Sequence, residues 1–370
     1  MRILVIATMC AAISGCGGCG ITDKFARLDD HRVFANRVVE TSATPSPLRP
    51  VRASPSLVSR LDVPDGKGGS LPLEQYLDAT RTAAFVVLRD DRIVYERYAL
   101  GFDERSMLNS FSIAKAIMAN LVGIAVAEGH IASLDAQVAD FRPELAGTAY
   151  GSTTLKSLLT MTSGVTHGPA LWERMQYYFG HDLLATAAEA RQGDSSEWRY
   201  SESDIEVLGL VLEAAVRKPV SEYLSEKLWK PLGMESPALW ALDRPGGHEK
   251  AFCCISAHAR DFARFGLLHL NAGNWHGKQI VPEAWAARTV LPGTRVPDGY
   301  IHRHLWWVPG DERGDFYAYG HNGQYVYVNP EARVVIVKFS EMLEQDPVPM
   351  FRALGRALGD LQHFAEATTP

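Results

Sequence analysis

The sequence predicts an α+β domain, an antiparallel sheet flanked by helices, with an inserted all-helical subdomain. Two hairpins near the two ends of the body carry this prediction, together with helical periodicity between them. In residues 83–98 the run Ala84-Phe85-Val86-Val87-Leu88 meets the charged turn Arg89-Asp90-Asp91-Arg92 and then Ile93-Val94-Tyr95. In residues 317–340 Tyr325-Val326-Tyr327-Val328 is followed by a turn at Asn329-Pro330-Glu331 and by Val334-Val335-Ile336-Val337. From about residue 134 to 252 the apolar spacing is mainly helical, broken by Gly and Pro loops. Hairpins at both ends must share one sheet, so the helical subdomain, about residues 130–255, stands beside it with a cleft between.

The remaining elements follow in order. Residues 110–129 form a helix, with Ser110 as its cap, Ala114, Ile117, Leu121 and Ile124 at helical spacing, and Gly129 at its end. A second strong helix covers residues 258–270, and a last one about residues 350–364. Before the body, residues 41–59 contain Pro45, Pro47, Pro50 and Pro55 among Ser, Thr and Ala, and are read as an extended tether. The folded domain is expected to span residues 71–370.

The 370 residues, 46% hydrophobic and 22% charged, suffice for a large core. A net charge of −6 with no basic run argues against a nucleic-acid partner. At the N-terminus, Met1-Arg2 precedes an apolar stretch over residues 3–13. That stretch is shorter than the about 20 residues of a membrane-spanning helix and suits a signal peptide. Ile13-Ser14-Gly15-Cys16 resembles the bacterial lipoprotein box, with an ordinary secretory signal as the alternative. The resemblance implies a signal over residues 1–15, lipidation of Cys16 and a lipidated tether over residues 16–70. The protein is then exported to the cell envelope and held at the membrane by its lipid. The five cysteines describe no disulfide framework. Cys253 and Cys254 are neighbours, a spacing that rarely bridges, and are expected as buried thiols.

Ser112-Ile113-Ala114-Lys115 lies in the first turns of the predicted helix, and residues three apart share a face, so the Lys115 amine can reach the Ser112 hydroxyl. A serine hydroxyl needs a base to become a nucleophile, and burial lowers the pKa of a lysine toward that role. The helix N-terminus adds N–H groups where an oxyanion would form. Alone, Ser-x-x-Lys is a weak signal. Two further segments strengthen it: Trp198-Arg199-Tyr200-Ser201-Glu202-Ser203-Asp204 before an apolar helix, and Gly320-His321-Asn322-Gly323-Gln324 before a β-run.

Together these elements resemble the serine β-lactamase and penicillin-binding-protein family in order and spacing. Tyr200-Ser201-Glu202 is similar to the Tyr-x-Asn or Tyr-x-Ser element, and His321-Asn322-Gly323 to a His-x-Gly form of the Lys-Thr-Gly strand. Thr160-Met161-Thr162-Ser163-Gly164 and the segment from Ala259 to Gly266 extend the likeness, which covers residues 83–337 and is nearest to 6-aminohexanoate-dimer hydrolases and β-lactamase-fold esterases. The resemblance implies a β-lactamase/transpeptidase-like fold and hydrolysis of a small ester or amide through an acyl-enzyme, without metal or organic cofactor. It casts Ser112 as nucleophile, Lys115 as its proton acceptor and Tyr200 as the general acid and base. It places the oxyanion hole at the N–H groups of Ser112 and Gln324, and substrate contacts at Glu202, His321, Asn322 and Gly323, with His321 holding Tyr200 or the substrate.

Glu202 stands where the family has Asn or Ser, which disfavours carboxylate-bearing β-lactams and favours a cationic or amine-bearing substrate. A β-lactamase, a D,D-peptidase and a non-catalytic binder of cell-wall peptides are the alternative functions. His302 and His304 are read as a surface loop, having no third metal ligand, and Trp306 and Trp307 as core or cleft wall. Residues 167–196, where the likeness is weakest, are expected to border the cleft and set specificity. No Gly-x-Ser-x-Gly elbow, zinc-binding His-Glu-x-x-His or phosphate-binding Gly loop is present.

Overall fold

The computed structural model describes residues 26–50, 58–193, 197–286, 293–342 and 346–367. The expectations for the signal peptide and for Cys10, Cys16 and Cys19 lie outside them. The strands of the two larger sheets are β1 (Asn36–Val39), β2 (Arg49–Pro50), β3 (Thr82–Arg89), β4 (Arg92–Tyr98), β5 (Leu108–Asn109), β6 (Ala238–Ala241), β7 (Ile255–Ala257), β8 (Thr294–Arg295), β9 (Ile301–Arg303), β10 (Trp306–Val308), β11 (Phe316–Gly320), β12 (Gln324–Asn329) and β13 (Val334–Ser340). Five helices shape the site: α1 (Ile113–Ala127), α2 (Ala170–Phe179), α3 (Glu202–Val216), α4 (Ala259–Leu270) and α5 (Val348–Ala367).

The main sheet runs β8-β9-β10-β11-β12-β13-β3-β4-β2. The predicted hairpins β3–β4 and β12–β13 form, and β13 joins them, with Val337 opposite Val86 and Ile336 opposite Val87. The two ends of the body thus share one sheet, as their patterning required. Alternation along these strands assigns the faces. Phe85, Val87, Tyr325, Tyr327 and Ile336 turn toward Met350, Phe351 and Leu354 of α5. Val86, Leu88, Val326, Val328, Val335 and Val337 turn the other way, toward Phe262, Phe265 and Leu268 of α4. Gly266 allows that approach: a Cβ there would stand 2.4 Å from Val335 Cγ1. Helix α1 is buried on every side from Ile113 to Ala125, as befits a helix between the sheet and the helical subdomain.

Several expectations are corrected. Residues 26–50, expected as part of the tether region 16–70, are no free tether. β1 pairs with β6, Leu28, Val39 and Leu48 are buried, and Thr41 Oγ1 donates to the Met234 carbonyl at 2.6 Å. The apolar anchors of this segment are too widely spaced to show a period, and its polar groups bond to the body instead of water, so the folded unit begins well before residue 71. β2 adds one parallel pairing at the sheet edge beside β4. The insertion is not wholly helical, since Val165–Thr166 pairs with Arg191–Gln192, and β6 and β7 belong to a second sheet of order β1-β6-β7-β5. Strands this short leave no period-2 signature. Ser110 does not cap α1; its Oγ accepts the Ile255 N–H, and Ser112 occupies the cap position. His302 and Arg303 lie buried in β9, whose outer-strand position lets flanking aromatic residues cover them.

Phe351 is fully buried, with ring centroids 5.6 Å from Tyr325 and 4.9 Å from Tyr327. Phe351→Ala is expected to cost about 3–5 kcal/mol in urea unfolding, because the rigid sheet face leaves a cavity.

Candidate active site

Chain geometry presents Ser112 before any partner is considered. Phe111 takes φ +43°, a left-handed conformation costly for a bulky residue, and the chain turns sharply from β5 into α1. Asn109 Oδ1 accepts the Phe111 N–H, and the Ser110 N–H donates to the Ile255 carbonyl, so both sides of the turn are held. β11 closes on it: a Cβ on Gly320 would lie 2.3 Å from the Ser110 carbonyl oxygen. Ser112 remains half-buried at the end of α1.

The predicted pairing is present. Lys115 Nζ donates to Ser112 Oγ at 2.8 Å and to the Phe252 carbonyl at 2.9 Å, and lies 4.9 Å from the centre of the Tyr200 ring. Lys115 is only 2% exposed. Burial lowers its pKa from the usual amine value to about 8, although the nearby Glu202 charge pulls the other way. The Tyr200 phenol lies near the Ser112 hydroxyl. Its pKa is raised, chiefly by burial and then by the Glu202 charge, while the Ser112 contact and Arg174 work in the opposite direction. Around Ser112 thus stand an amine near its titration point and a phenol held in its protonated form.

Glu202 opens α3 and is 5% exposed, but it is not a free carboxylate. Arg174 of α2 donates Nε–H to Glu202 Oε1 at 3.0 Å. This pairing removes the basis for expecting a cationic substrate, because the chain itself supplies the cation. Next to it, Glu173 is fully buried, accepts from Ser203 Oγ at 2.7 Å and pairs with Arg199 at 3.1 Å. The N-terminus of α3 welcomes such carboxylates through its dipole. Asp204 accepts from Tyr150 and Ser163, yet burial still raises its pKa to about 7.

On the sheet side, Gln324 is fully buried at the start of β12. Its amide donates to the His321 and Ser340 carbonyls and accepts the Ser340 N–H. That side chain locks the turn through Asn322 and Gly323, at φ +61° and +84°. Asn322 Nδ2 donates to the Ala26 carbonyl at 3.4 Å, so it also ties the N-terminal segment down. His321 is exposed; its ring stands edge-on to Phe111 at 5.9 Å, and no hydrogen bond to Tyr200 is present among the described residues. Partial desolvation by the surrounding protein, followed by the Arg174 charge, lowers its pKa.

Several neighbours escaped the motif reading. Trp307 stacks on Tyr200 at 6.1 Å with an interplanar angle of 26°, while Trp306 is core. Trp198 donates from Nε1 to His302 Nδ1 at 3.2 Å, and burial lowers the His302 pKa to about 3, so it acts as a neutral acceptor. Arg174 carried only one signal, its spacing of three and four residues from the aromatic pair Tyr177 and Tyr178. Phe252 carried none, since it acts through a carbonyl. Behind that carbonyl, Cys253 and Cys254 are joined by a disulfide, correcting the expectation of separate thiols. The turn in which Cys254 adopts φ +73° brings the two sulfurs together. Both are buried as expected, and the turn is pinned by the Ala251 N–H to Glu206 Oε2 at 2.8 Å and by Trp240 Nε1 to the Cys253 carbonyl at 3.1 Å. Among the described residues no group of three His, Cys, Asp or Glu is placed to hold a metal.

A nucleophile turn at a helix start, a buried lysine one turn on, and a tyrosine from a helical subdomain facing a sheet strand together define a serine hydrolase of the β-lactamase/transpeptidase fold. The β-lactamase family model matches residues 73–358, and the chain belongs to that family. Among curated relatives, the 6-aminohexanoate-dimer hydrolase of Paenarthrobacter ureafaciens is 29% identical over 351 residues, covering 87% of this chain and 86% of that protein. Esterase EstB of Burkholderia gladioli is 30% identical over 180 residues, 41% of this chain and 45% of its own. Among solved structures, one from Bacillus anthracis assigned to the 6-aminohexanoate-dimer hydrolases superposes with a TM-score of 0.80 at 24% identity, covering 94% of this chain and 95% of that one. A class C β-lactamase from Rhodobacter sphaeroides gives 0.56 at 18% identity, covering 79% and 97%. These structures share the fold.

The disulfide has a direct check. Unfolded, unreduced protein is expected to leave Cys253 and Cys254 unlabelled by iodoacetamide in peptide mass spectrometry, and to label both after reduction; labelling without reduction would show free thiols.

Proposed function

We propose that this protein hydrolyses a linear amide or ester through an acyl-enzyme on Ser112, working as a lipid-anchored enzyme of the cell envelope. The observation that carries the reading is the 2.8 Å contact between Ser112 Oγ and the buried amine of Lys115. With the Lys115 pKa near 8, a useful fraction of the amine is neutral at ordinary pH and can accept the hydroxyl proton as Ser112 Oγ attacks the carbonyl carbon. The negative oxygen that forms faces the N-terminal N–H groups of α1 and the start of β12, where Ser112 and Gln324 supply the donors. Tyr200, held as a phenol, is the group ready to give a proton to the departing nitrogen or oxygen, and Lys115 replenishes it. Water then enters, loses its proton to the same pair and releases the acid, restoring Ser112.

A linear amide is favoured over a β-lactam by the 6-aminohexanoate-dimer hydrolase likeness, which spans nearly the whole chain, while the esterase relative supports ester cleavage at the same centre. Export and anchoring rest on the apolar N-terminal stretch and Cys16. Because residues 26–50 pack onto the body, a soluble form should retain them.

Initial rates with a p-nitrophenyl ester, the 6-aminohexanoate dimer and a chromogenic cephalosporin test the reading. Ser112→Ala is expected to abolish turnover of every substrate used, and Tyr200→Phe to lower kcat by about 10²–10⁴-fold. Best turnover of the cephalosporin would make the protein a β-lactamase, and stoichiometric acylation without turnover would make it a binder. The pH dependence has a definite sign. The neutral amine is the active form, so kcat/KM should rise about tenfold per pH unit below 8 and level off above it. A rate flat from pH 6 to 9 would remove Lys115 from the base role.

A further inference from the structure

We propose that Arg174 is a specificity residue that binds a carboxylate on the substrate, so that the preferred linear amide or ester carries a free carboxylate on an aliphatic chain. This deepens the hydrolase reading and rests on it.

The argument starts from α2. Residues 174, 177 and 178 are three and four apart and share one face. Tyr177 and Tyr178 on that face are buried, and the Tyr178 ring lies 6.5 Å from Phe111, the residue before Ser112. Arg174 is therefore aimed at the nucleophile turn rather than at bulk water, yet its side chain remains 46% exposed because it ends over the cleft. Only Nε is used, on Glu202 Oε1 at 3.0 Å; among the described residues the two Nη groups have no partner. A guanidinium with one edge anchored and the other open matches a carboxylate, which it can take with two parallel N–H bonds.

Glu202 holds the guanidinium in place and does not saturate it. The positive charge also acts on Lys115, Tyr200 and His321, which places Arg174 within range of the reacting groups. The neighbouring surface suits the rest of such a substrate: Leu171, one turn before Arg174, and Met175, one turn after Leu171, are exposed apolar side chains. An aliphatic linker can lie along them while its terminal carboxylate reaches Arg174.

The test uses the full-length protein in detergent and two matched substrate pairs. In one, the 6-aminohexanoate dimer is compared with its terminal carboxamide, so the charge lies on the leaving amine. In the other, the mono-p-nitrophenyl ester of adipic acid is compared with the p-nitrophenyl ester of adipic acid monoamide, so the charge lies on the acyl part. The carboxylate member of at least one pair is expected to have the higher kcat/KM. Arg174→Gln should reduce that preference, read as the ratio of kcat/KM between the two members at one pH, about tenfold and chiefly through KM, because any change in the Lys115 base acts on both members alike. Arg174→Lys should restore part of the preference. Glu202→Gln, by releasing Nε, should raise it. A purely structural role for Arg174 would lower both members of a pair equally and would overturn the proposal, as would a wild-type enzyme indifferent to charge in both pairs. Absence of any Ser112-dependent turnover would instead sink the hydrolase reading on which the proposal stands.

Discussion

The amine of Lys115 is the constraint around which the site is arranged. A lysine this deeply buried must either find compensating partners or become easy to deprotonate, and here both happen. Ser112 Oγ and the Phe252 carbonyl take its N–H groups, and burial brings its pKa to about 8. Each of those partners needs its own support. The Phe111 turn and the close approach of β11 hold Ser112. The Phe252 carbonyl sits on a turn tied by Glu206, Trp240 and the Cys253–Cys254 disulfide. The helical subdomain and the sheet are therefore joined at the point where the chemistry is placed.

The same logic explains the acidic groups around α3. Glu173, Glu202, Asp204 and Glu206 are buried near its first turns, where the helix dipole and hydroxyl donors lessen the cost of their charge. Arg174 and Arg199 answer two of them directly, and Lys250 lies near Glu206. Burial drives the Glu206 pKa up and the Lys250 pKa down, and the opposite charge of each partner works against that shift. Glu202 differs from its neighbours because its partner comes from the rim of the cleft. What looked like a bare negative charge beside Tyr200 is one half of an ion pair whose other half is partly exposed.

Residues whose chemistry depends on local spacing were legible. Ser112 and Lys115 are three apart on one helix, so their meeting needed only a helix, and the apolar positions at 114, 117, 121 and 124 supplied it. Tyr200 was legible because it precedes a strongly apolar helix and matches a family motif. The hairpins were legible because runs of β-forming residues and turn residues coincide in them. Arg174 was not, because an arginine on a short amphipathic helix is ordinary until the helix is seen against Phe111. The disulfide was not, because it depends on the left-handed turn at Cys254. The packing of residues 26–50 was hidden by a composition that suits a tether equally well.

The sequence by itself determined the fold class, the hairpins that close the sheet and the pairing of nucleophile with base, because each follows from period, turn chemistry or separations of a few residues. Tertiary structure alone decided the protonation of that base, the charge seen by a substrate and the point where the folded body begins. Those properties depend on burial and on partners distant in sequence: Phe252 for Lys115, Arg174 for Glu202, and Ala238–Ala241 for Asn36–Val39. No local pattern encodes such distances; only the assembled chain does.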